Sequence, residues 1–302
     1  MAIRQPVAVA DSGLDSQAAD AFGWALQHPG VSHRVMVDGV WLHYLGWNLE
    51  ASDKPLLLLV HGLRGHAHWW DGIAPYLAEG YRVIALDLSG MGDSDHRQSY
   101  SFQYAAGDIA GLVEVLGLGP VTAIGHSYGG VRLLKACADH PQLFKRLIIL
   151  DSYMYFPEEA PPHDPSKPVR RYYPDLETAM GRYRLVPEQP CFEPAVLAHI
   201  ARHSLREESE GWCWKFDPLL PAGISHEIPA RELLPLVRRP VHVVYAGGSA
   251  VVSAAHAGET VALLPFGQGP VELPAAYHHM MIDQPRELTA LLKKLLADGD
   301  MT

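Results

Sequence analysis

The chain has 302 residues, 48% of them apolar and 19% charged, with a formal net charge of −10. An acidic balance without a Lys/Arg run excludes nucleic acid and anionic membrane surfaces as partners and leaves a small molecule. Three widely spaced cysteines, Cys137, Cys191 and Cys213, fit neither a disulfide framework nor a zinc site.

There is no leader-like apolar segment and no run near the roughly 18 apolar residues of a membrane span. The expectation is a soluble, cytoplasmic protein, with its oligomeric state left open. A short helix is expected over Ser16–Gln27. In "HRVMVDGVWLHYLGW" alternating apolar residues flank Asp38-Gly39, which predicts a hairpin. The runs at 55–62, 81–88, 120–127 and 143–151 ("PLLLLVHG", "YRVIALDL", "PVTAIGHS", "LFKRLIILD") are continuously apolar, as strands buried on both faces are. Helices are expected between them, over Trp69–Glu79, Phe102–Leu116 and Tyr128–Asp139. That rhythm predicts an α/β fold, a parallel sheet with helices on both faces. It breaks over 152–235, a stretch rich in Pro, aromatics and charge that shows no buried strand and several helix-like pieces. It resumes with strands at 238–247 and 269–274 and closes on an amphipathic helix, Pro285–Leu296. The expected organisation is one α/β core, 1–151 and 236–302, interrupted by a segment of its own, 152–235.

Chemistry enters at Gly125-His126-Ser127-Tyr128-Gly129, a G-x-S-x-G sequence between an expected strand and an expected helix. So sharp a turn strains the backbone of its central residue. Glycine is needed two positions to either side, because a Cβ there would strike the adjacent strand or helix. The Ser oxygen is lifted above the sheet at the positive N-terminal end of a helix.

"LLVHGLRG", "VIALDLSGMGDSD", "AIGHSYGG" and "YHHMMIDQP" follow one another in an order and spacing that resemble the α/β-hydrolase superfamily over residues 31–150 and 236–296. The resemblance implies a mostly parallel eight-stranded sheet with helices on both faces. It also implies a mainly helical lid (cap) inserted after the sixth strand, a Ser–acid–His triad in that chain order, and no cofactor or metal. Ser127 is then the nucleophile. The backbone N–H groups of Leu63 and Tyr128 form the oxyanion hole, and Gly62 and Gly65 allow close backbone approach. His61 packs and hydrogen-bonds behind that loop. Counting back from Asp283-Gln284-Pro285 points to His278 as the base, with His279 as the alternative.

In the family the acid usually follows the seventh strand. Here that loop reads "VYAGGSAVV" (244–252), with Ser249 at the expected position and no carboxylate before Glu259 in the next expected helix. Asp151, at the end of the sixth strand, is the substitute, since both strand ends lie on the side of the sheet where the His loop falls. A dyad without an acid is the competing expectation.

His66, His68 and Asp71 of "HAHWWD" have the wrong spacing for a metallo-β-lactamase-type site and are read as surface or lid-facing side chains. Asp87 closes a turn, and Gly90-x-Gly92 is not a dinucleotide loop. Ser at the elbow speaks against epoxide hydrolases and haloalkane dehalogenases, whose elbow carries Asp. Arg64, Trp69, Tyr153, Trp212 and Trp214 are candidate pocket residues for an apolar or aromatic acyl group; the insert's own small core is the blander role for its aromatics. The function expected is hydrolysis of a carboxylic ester or lactone through an acyl-enzyme on Ser127. Alternatives are a C–C bond hydrolase of ring-cleavage diketones with the same triad, and a non-catalytic ligand-binding or sensor protein on the same fold.

Overall fold

Leu56–Val60 forms the strand at the middle of the molecule, and all five of its residues are buried. Leu56, Leu58 and Val60 face one hydrophobic cluster, and Leu57 and Leu59 face a second. The next strand in the chain behaves alike: Ile84 and Leu86 join the first cluster, Val83 and Ala85 the second. This is why the apolar runs show no alternation in the sequence: the pleat sends successive side chains to opposite faces, and both faces are covered.

The computed structural model describes residues 16–156, 169–191, 194–220 and 228–298. Its strands are β1 Val31–Val37, β2 Val40–Trp47, β3 Leu56–Val60, β4 Arg82–Leu86, β5 Val121–His126, β6 Phe144–Leu150, β7 Leu205–Glu208, β8 Gly211–Trp214, β9 Val241–Ala246 and β10 Gly267–Leu273. Eight of them make one sheet in the order β1-β2-β4-β3-β5-β6-β9-β10. Only the β1–β2 and β2–β4 pairings are antiparallel. The mostly parallel eight-stranded sheet expected from the sequence is present.

The helices are α1 Ser16–Leu26, α2 Ala74–Leu77, α3 Phe102–Val115, α4 Tyr128–Asp139, α5 Leu176–Met180, α6 Pro194–His203, α7 Ala230–Leu233, α8 Ala254–Leu263, α9 Met280–Asp283 and α10 Pro285–Asp298. Residues of α3, α4 and α8 pack in the first cluster, and residues of α2 and α10 in the second. The Ser101 side chain caps α3 by accepting from the Tyr104 N–H at 3.1 Å. Arg146 of β6 is buried and donates to the carbonyls of Leu295 (2.8 Å) and Leu296 near the end of α10, where a cation is favoured by the helix dipole. No helix among the described residues is long and apolar enough to cross a membrane.

The predicted hairpin is in place: Val37 pairs with Val40, and Asp38 and Gly39 both adopt positive φ (47° and 76°). The continuous helix expected over Trp69–Glu79 is not. A 3-10 turn, Ala67–Trp70, is followed by the short α2, with Asp71-Gly72-Ile73 between them. Pro75 sits in the first turn of α2, where its missing N–H is harmless. Deeper in a longer helix it would lose a hydrogen bond and clash with the carbonyl of residue 71. The segment between β6 and β9 also holds more than helices, because β7 and β8 pair as an antiparallel hairpin. The N-terminal lead and parts of the 152–235 segment lie outside the described residues.

Candidate active site

β5 runs into α4 through Ser127, whose backbone adopts φ 51° and ψ −122°. A non-glycine residue there is strained by ~1–3 kcal/mol and persists only where its surroundings hold it. They do so here through the glycines. A Cβ on Gly125 would stand 2.6 Å from the Gly130 Cα, and one on Gly129 would stand 2.3 Å from the His61 carbonyl oxygen. The Ser127 N–H donates to the Leu150 carbonyl (2.9 Å), which ties the turn to the end of β6.

The loop after β3 closes over this turn. A Cβ on Gly62 would lie 3.4 Å from the Ser127 Cβ, so the loop backbone passes directly beside the elbow. His61 is fully buried; its Nδ1–H donates to the Gly62 carbonyl (2.7 Å) and its Nε2 accepts the Leu88 N–H (3.2 Å). Burial lowers its pKa, so it remains a neutral strut. Gly65 N–H returns to the Gly62 carbonyl at 3.0 Å. Among the described residues neither the Leu63 nor the Tyr128 N–H donates to a protein acceptor. Asp87 is buried and accepts from the Ala67 N–H (2.5 Å), His43 Nδ1 (2.7 Å) and the Asp93 N–H (2.8 Å). Burial alone would raise its pKa, but the His43 hydrogen bond and the charge of the neighbouring imidazoles, His43 first, hold it well below the usual carboxylate range.

Asp151 follows β6 directly, fully buried, with φ 44°. Its own N–H donates to the Val244 carbonyl of β9 (2.8 Å). Its Oδ1 accepts the Ala246 N–H (2.9 Å), and its Oδ2 accepts both the Ser249 hydroxyl (2.5 Å) and His278 Nδ1–H (2.7 Å). Ser249 stands where the family's usual acid would be. Its oxygen in turn accepts the N–H groups of Val251 (3.0 Å) and Val252 (3.1 Å). The hydroxyl's only proton is therefore directed at Asp151. Glu259 lies on α8 and pairs with Arg231 at 2.7 Å, turned to another task.

With Nδ1 donating to Asp151, His278 keeps the lone pair of Nε2 for an incoming proton. Its carbonyl accepts from His126 Nε2 at 2.8 Å, which ties the His278 loop to the residue before Ser127. Burial, and then the neighbouring His278 and His279, keep His126 well below the ordinary imidazole pKa. Burial likewise takes His279 down to about 3, with the charge of His278 adding to the effect. His279 packs against Trp69 (ring centroids 5.2 Å) and gives its backbone N–H to Gln189 Oε1 (2.8 Å). Asp283 braces the same loop by accepting the Tyr277 N–H (2.7 Å) and Gln189 Nε2 (3.1 Å).

Ser127, Asp151 and His278 thus gather where β5, β6 and β9 end, with Leu63 and Tyr128 beside Ser127. Trp69 joins them, against His126 (6.4 Å) and His279, while Trp70 is fully buried in the second cluster. Arg64 is half-buried with its guanidinium 5.1 Å above the Phe216 ring. Tyr153 stacks on His256 at 4.6 Å, on the Ser249 side of the acid. Among the described residues the ring contacts of Trp212 and Trp214 are with Arg202 (5.1 Å), Tyr173 (6.1 Å) and Tyr183 (5.9 Å), a cluster on the β7–β8 hairpin. Sequence reasoning missed Gln189, Ser249 and His126 as supports. A hydroxyl at the vacated acid position was the legible signal for Ser249; nothing local marked Gln189.

The sequence profile of a family described as alpha/beta hydrolase fold matches residues 55–285. A soluble epoxide hydrolase from Corynebacterium sp. (strain C12) is 38% identical over 120 residues, which is 39% of this chain and 41% of that protein. A putative esterase/lipase from Haemophilus influenzae is 35% identical over 102 residues, 34% of this chain and 36% of that one. The chain therefore spans less than half the length of these curated relatives. Among solved structures, E-2-(acetamidomethylene)succinate hydrolase superimposes with a TM-score of 0.73 at 22% identity, over 89% of this chain and 99% of that chain, a likeness of fold. With the profile running from β3 to the first residue of α10 and the sheet ordered as above, the chain belongs to the alpha/beta hydrolase fold family.

Proposed function

We propose that the chain is a serine hydrolase of carboxylic esters or lactones that works through an acyl-enzyme on Ser127. The observation that carries this reading is the contact of Asp151 Oδ2 with His278 Nδ1 at 2.7 Å, formed although the acid comes from β6 rather than from the loop after β9. The carboxylate fixes the imidazole tautomer and stabilises the imidazolium that forms when Nε2 takes the Ser127 proton. Ser127 Oγ then attacks the carbonyl carbon, and the oxygen that gains charge sits against the Leu63 and Tyr128 N–H groups, donors otherwise unused among the described residues. His278 returns the proton to the leaving alcohol, and water attacking the acyl-enzyme regenerates Ser127. No step calls on a metal or a cofactor. Residues 152–235 act as a lid over the site, and Trp69 presents an apolar wall to an aromatic or hydrophobic acyl group.

The likeness to an epoxide hydrolase does not transfer that chemistry, because Ser127 occupies the elbow where the family's epoxide hydrolases carry Asp. Incubation with a fluorophosphonate probe tests the nucleophile. Ser127 labels and Ser127→Ala does not; folded wild-type protein that stays unlabelled makes this a binding protein. Side-by-side assays of p-nitrophenyl esters, aromatic lactones and a vinylogous diketone acid test the bond cleaved. Turnover of the diketone alone overturns the ester reading in favour of C–C hydrolysis.

A further inference from the structure

The motif set aside in the sequence, His66-Ala67-His68-Trp69-Trp70-Asp71, acquires partners in the fold. His199 and His203 lie four residues apart on α6, so they share one helix face, the spacing by which helical histidine pairs grip zinc. That face meets His68 and Asp71. One ring nitrogen from each of His68, His199 and His203 falls within 4.8 Å of the other two. Asp71 Oδ2 stands 2.8 Å from His68 Nδ1 and 2.7 Å from His199 Nε2. In a tetrahedral site with metal–nitrogen bonds of about 2.0–2.1 Å, ligand atoms lie about 3.3 Å apart, so the three rings close up on an ion and the stacked His68 and His203 rings, with centroids 3.7 Å apart, turn to converge on it.

A second observation points the same way. Asp71 is only 7% exposed, and its Oδ1 has no hydrogen-bond partner. Its other oxygen, Oδ2, takes both the His68 and the His199 donors, the carboxylate–histidine pairing that orients metal-ligating imidazoles. The three histidines are half-buried, so an ion can still reach them.

We propose that His68, His199 and His203 bind one divalent transition-metal ion, Zn²⁺ by the chemistry of three imidazoles, with Asp71 holding the His68 and His199 rings from behind and a water as the fourth ligand. Calcium and magnesium, which favour oxygen ligands, are excluded by that donor set. On binding, each imidazole gives the lone pair of one ring nitrogen to the ion and keeps a single proton on the other; for His68 and His199 that proton stays on the nitrogen that donates to the ionised Asp71. The ion clasps α6, from the segment between β6 and β9, to the Ala67–Trp70 turn that carries Trp69. It lies apart from Ser127 and its chemistry and is independent of the reaction proposed there.

The test is titration of tag-free, chelator-treated full-length protein with Co²⁺ and then Zn²⁺. Expected are one equivalent of Co²⁺ with the intense visible bands of tetrahedral coordination, displacement by Zn²⁺, and a thermal midpoint that rises with Zn²⁺. His199→Ala and His203→Ala each weaken Zn²⁺ binding by at least about 100-fold, beyond the usual effect of losing an outer-shell partner. His278→Ala, which alters the separate His126–His278–His279 group, leaves the bands intact. The proposal is overturned if the unaltered protein takes up no metal at micromolar concentration, if the bands are the weak ones of octahedral Co²⁺, or if uptake survives His199→Ala and disappears with His278→Ala. The first two outcomes are read on the unaltered protein, so a variant that fails to fold does not rescue the idea.

Discussion

Ser249 gives its hydroxyl proton to Asp151 Oδ2 at 2.5 Å, the same oxygen that accepts from His278 Nδ1. The residue at the family's usual acid position is therefore hydrogen-bonded to the carboxylate proposed in its place. Two positions on neighbouring strand ends converge on one point in space, and either could hold a carboxylate there.

A transplant follows from this. Asp151→Asn is expected to lower kcat/KM on an ester substrate by about 10⁴-fold, as loss of the acid does in Ser-His-Asp hydrolases. Adding Ser249→Asp to that variant should recover at least about tenfold, since the Ser249 side chain already stands 2.5 Å from the carboxylate oxygen that meets the imidazole. A double variant no faster than Asp151→Asn would mean the two strand ends are not interchangeable.

Ser249→Ala alone removes one donor to a buried carboxylate. Such a bond contributes about 1.5–3 kcal/mol, so turnover should fall about 10- to 100-fold while KM moves little. Steady-state kinetics on one ester series reads both parameters.

His278 and His279 separate by their partners. His278→Ala should lower kcat by about 10⁶-fold, since an imidazole that works with its nucleophile is lost as a unit. His279→Ala loses packing against Trp69 and should shift KM for aromatic substrates, with turnover retained. Equal losses in kcat for the two variants would dissolve the distinction.

Gly129→Ala places a methyl group 2.3 Å from the His61 carbonyl oxygen, a backbone atom that cannot swing aside. We expect destabilisation of at least about 3 kcal/mol by urea unfolding, or no soluble protein. Gly107→Ala, where a Cβ meets nothing within 4 Å, is the matched control and should be neutral or stabilising.

Burial pushes the Asp283 carboxyl up to about 7, against the pull of the Tyr277 and Gln189 donors. The native state thus binds this proton more tightly than the unfolded chain, where 3.8 applies. The stability it contributes is full below that lower value and is lost as pH rises through the higher one. Asp283→Asn cannot ionise, so its thermal midpoint should exceed that of the wild type at about pH 8 and approach it at about pH 4. Parallel midpoints at both pH values would contradict the shift.

The sheet was legible because strands covered on both faces must be apolar throughout, and Leu56–Val60 and Val83–Leu86 are. The elbow was legible because its sterics demand glycine at 125 and 129. What the sequence withheld were contacts made across long separations. The helix expected from Trp69 broke because Gly72 and Pro75 outweighed the apolar pattern. His66-x-His68-x-x-Asp71 had the wrong spacing for a metal motif, and the histidines that gather beside it, His199 and His203, arrive from α6, far along the chain. Gln189 braces the His278 loop from a stretch with no periodicity to reveal it.

Beyond Asp151 the chain stays tied to the core: Ser152 lies against the elbow helix, where a Cβ on Gly130 would fall 2.0 Å from the Ser152 Oγ, and Met154 and Phe156 are buried in the first hydrophobic cluster. Anyone building chimeras by exchanging the segment that follows must place the splice junction after Phe156. A cut before Met154 opens the first cluster, a cut before Ser152 disturbs the elbow, and a cut before Asp151 discards the carboxylate that meets His278.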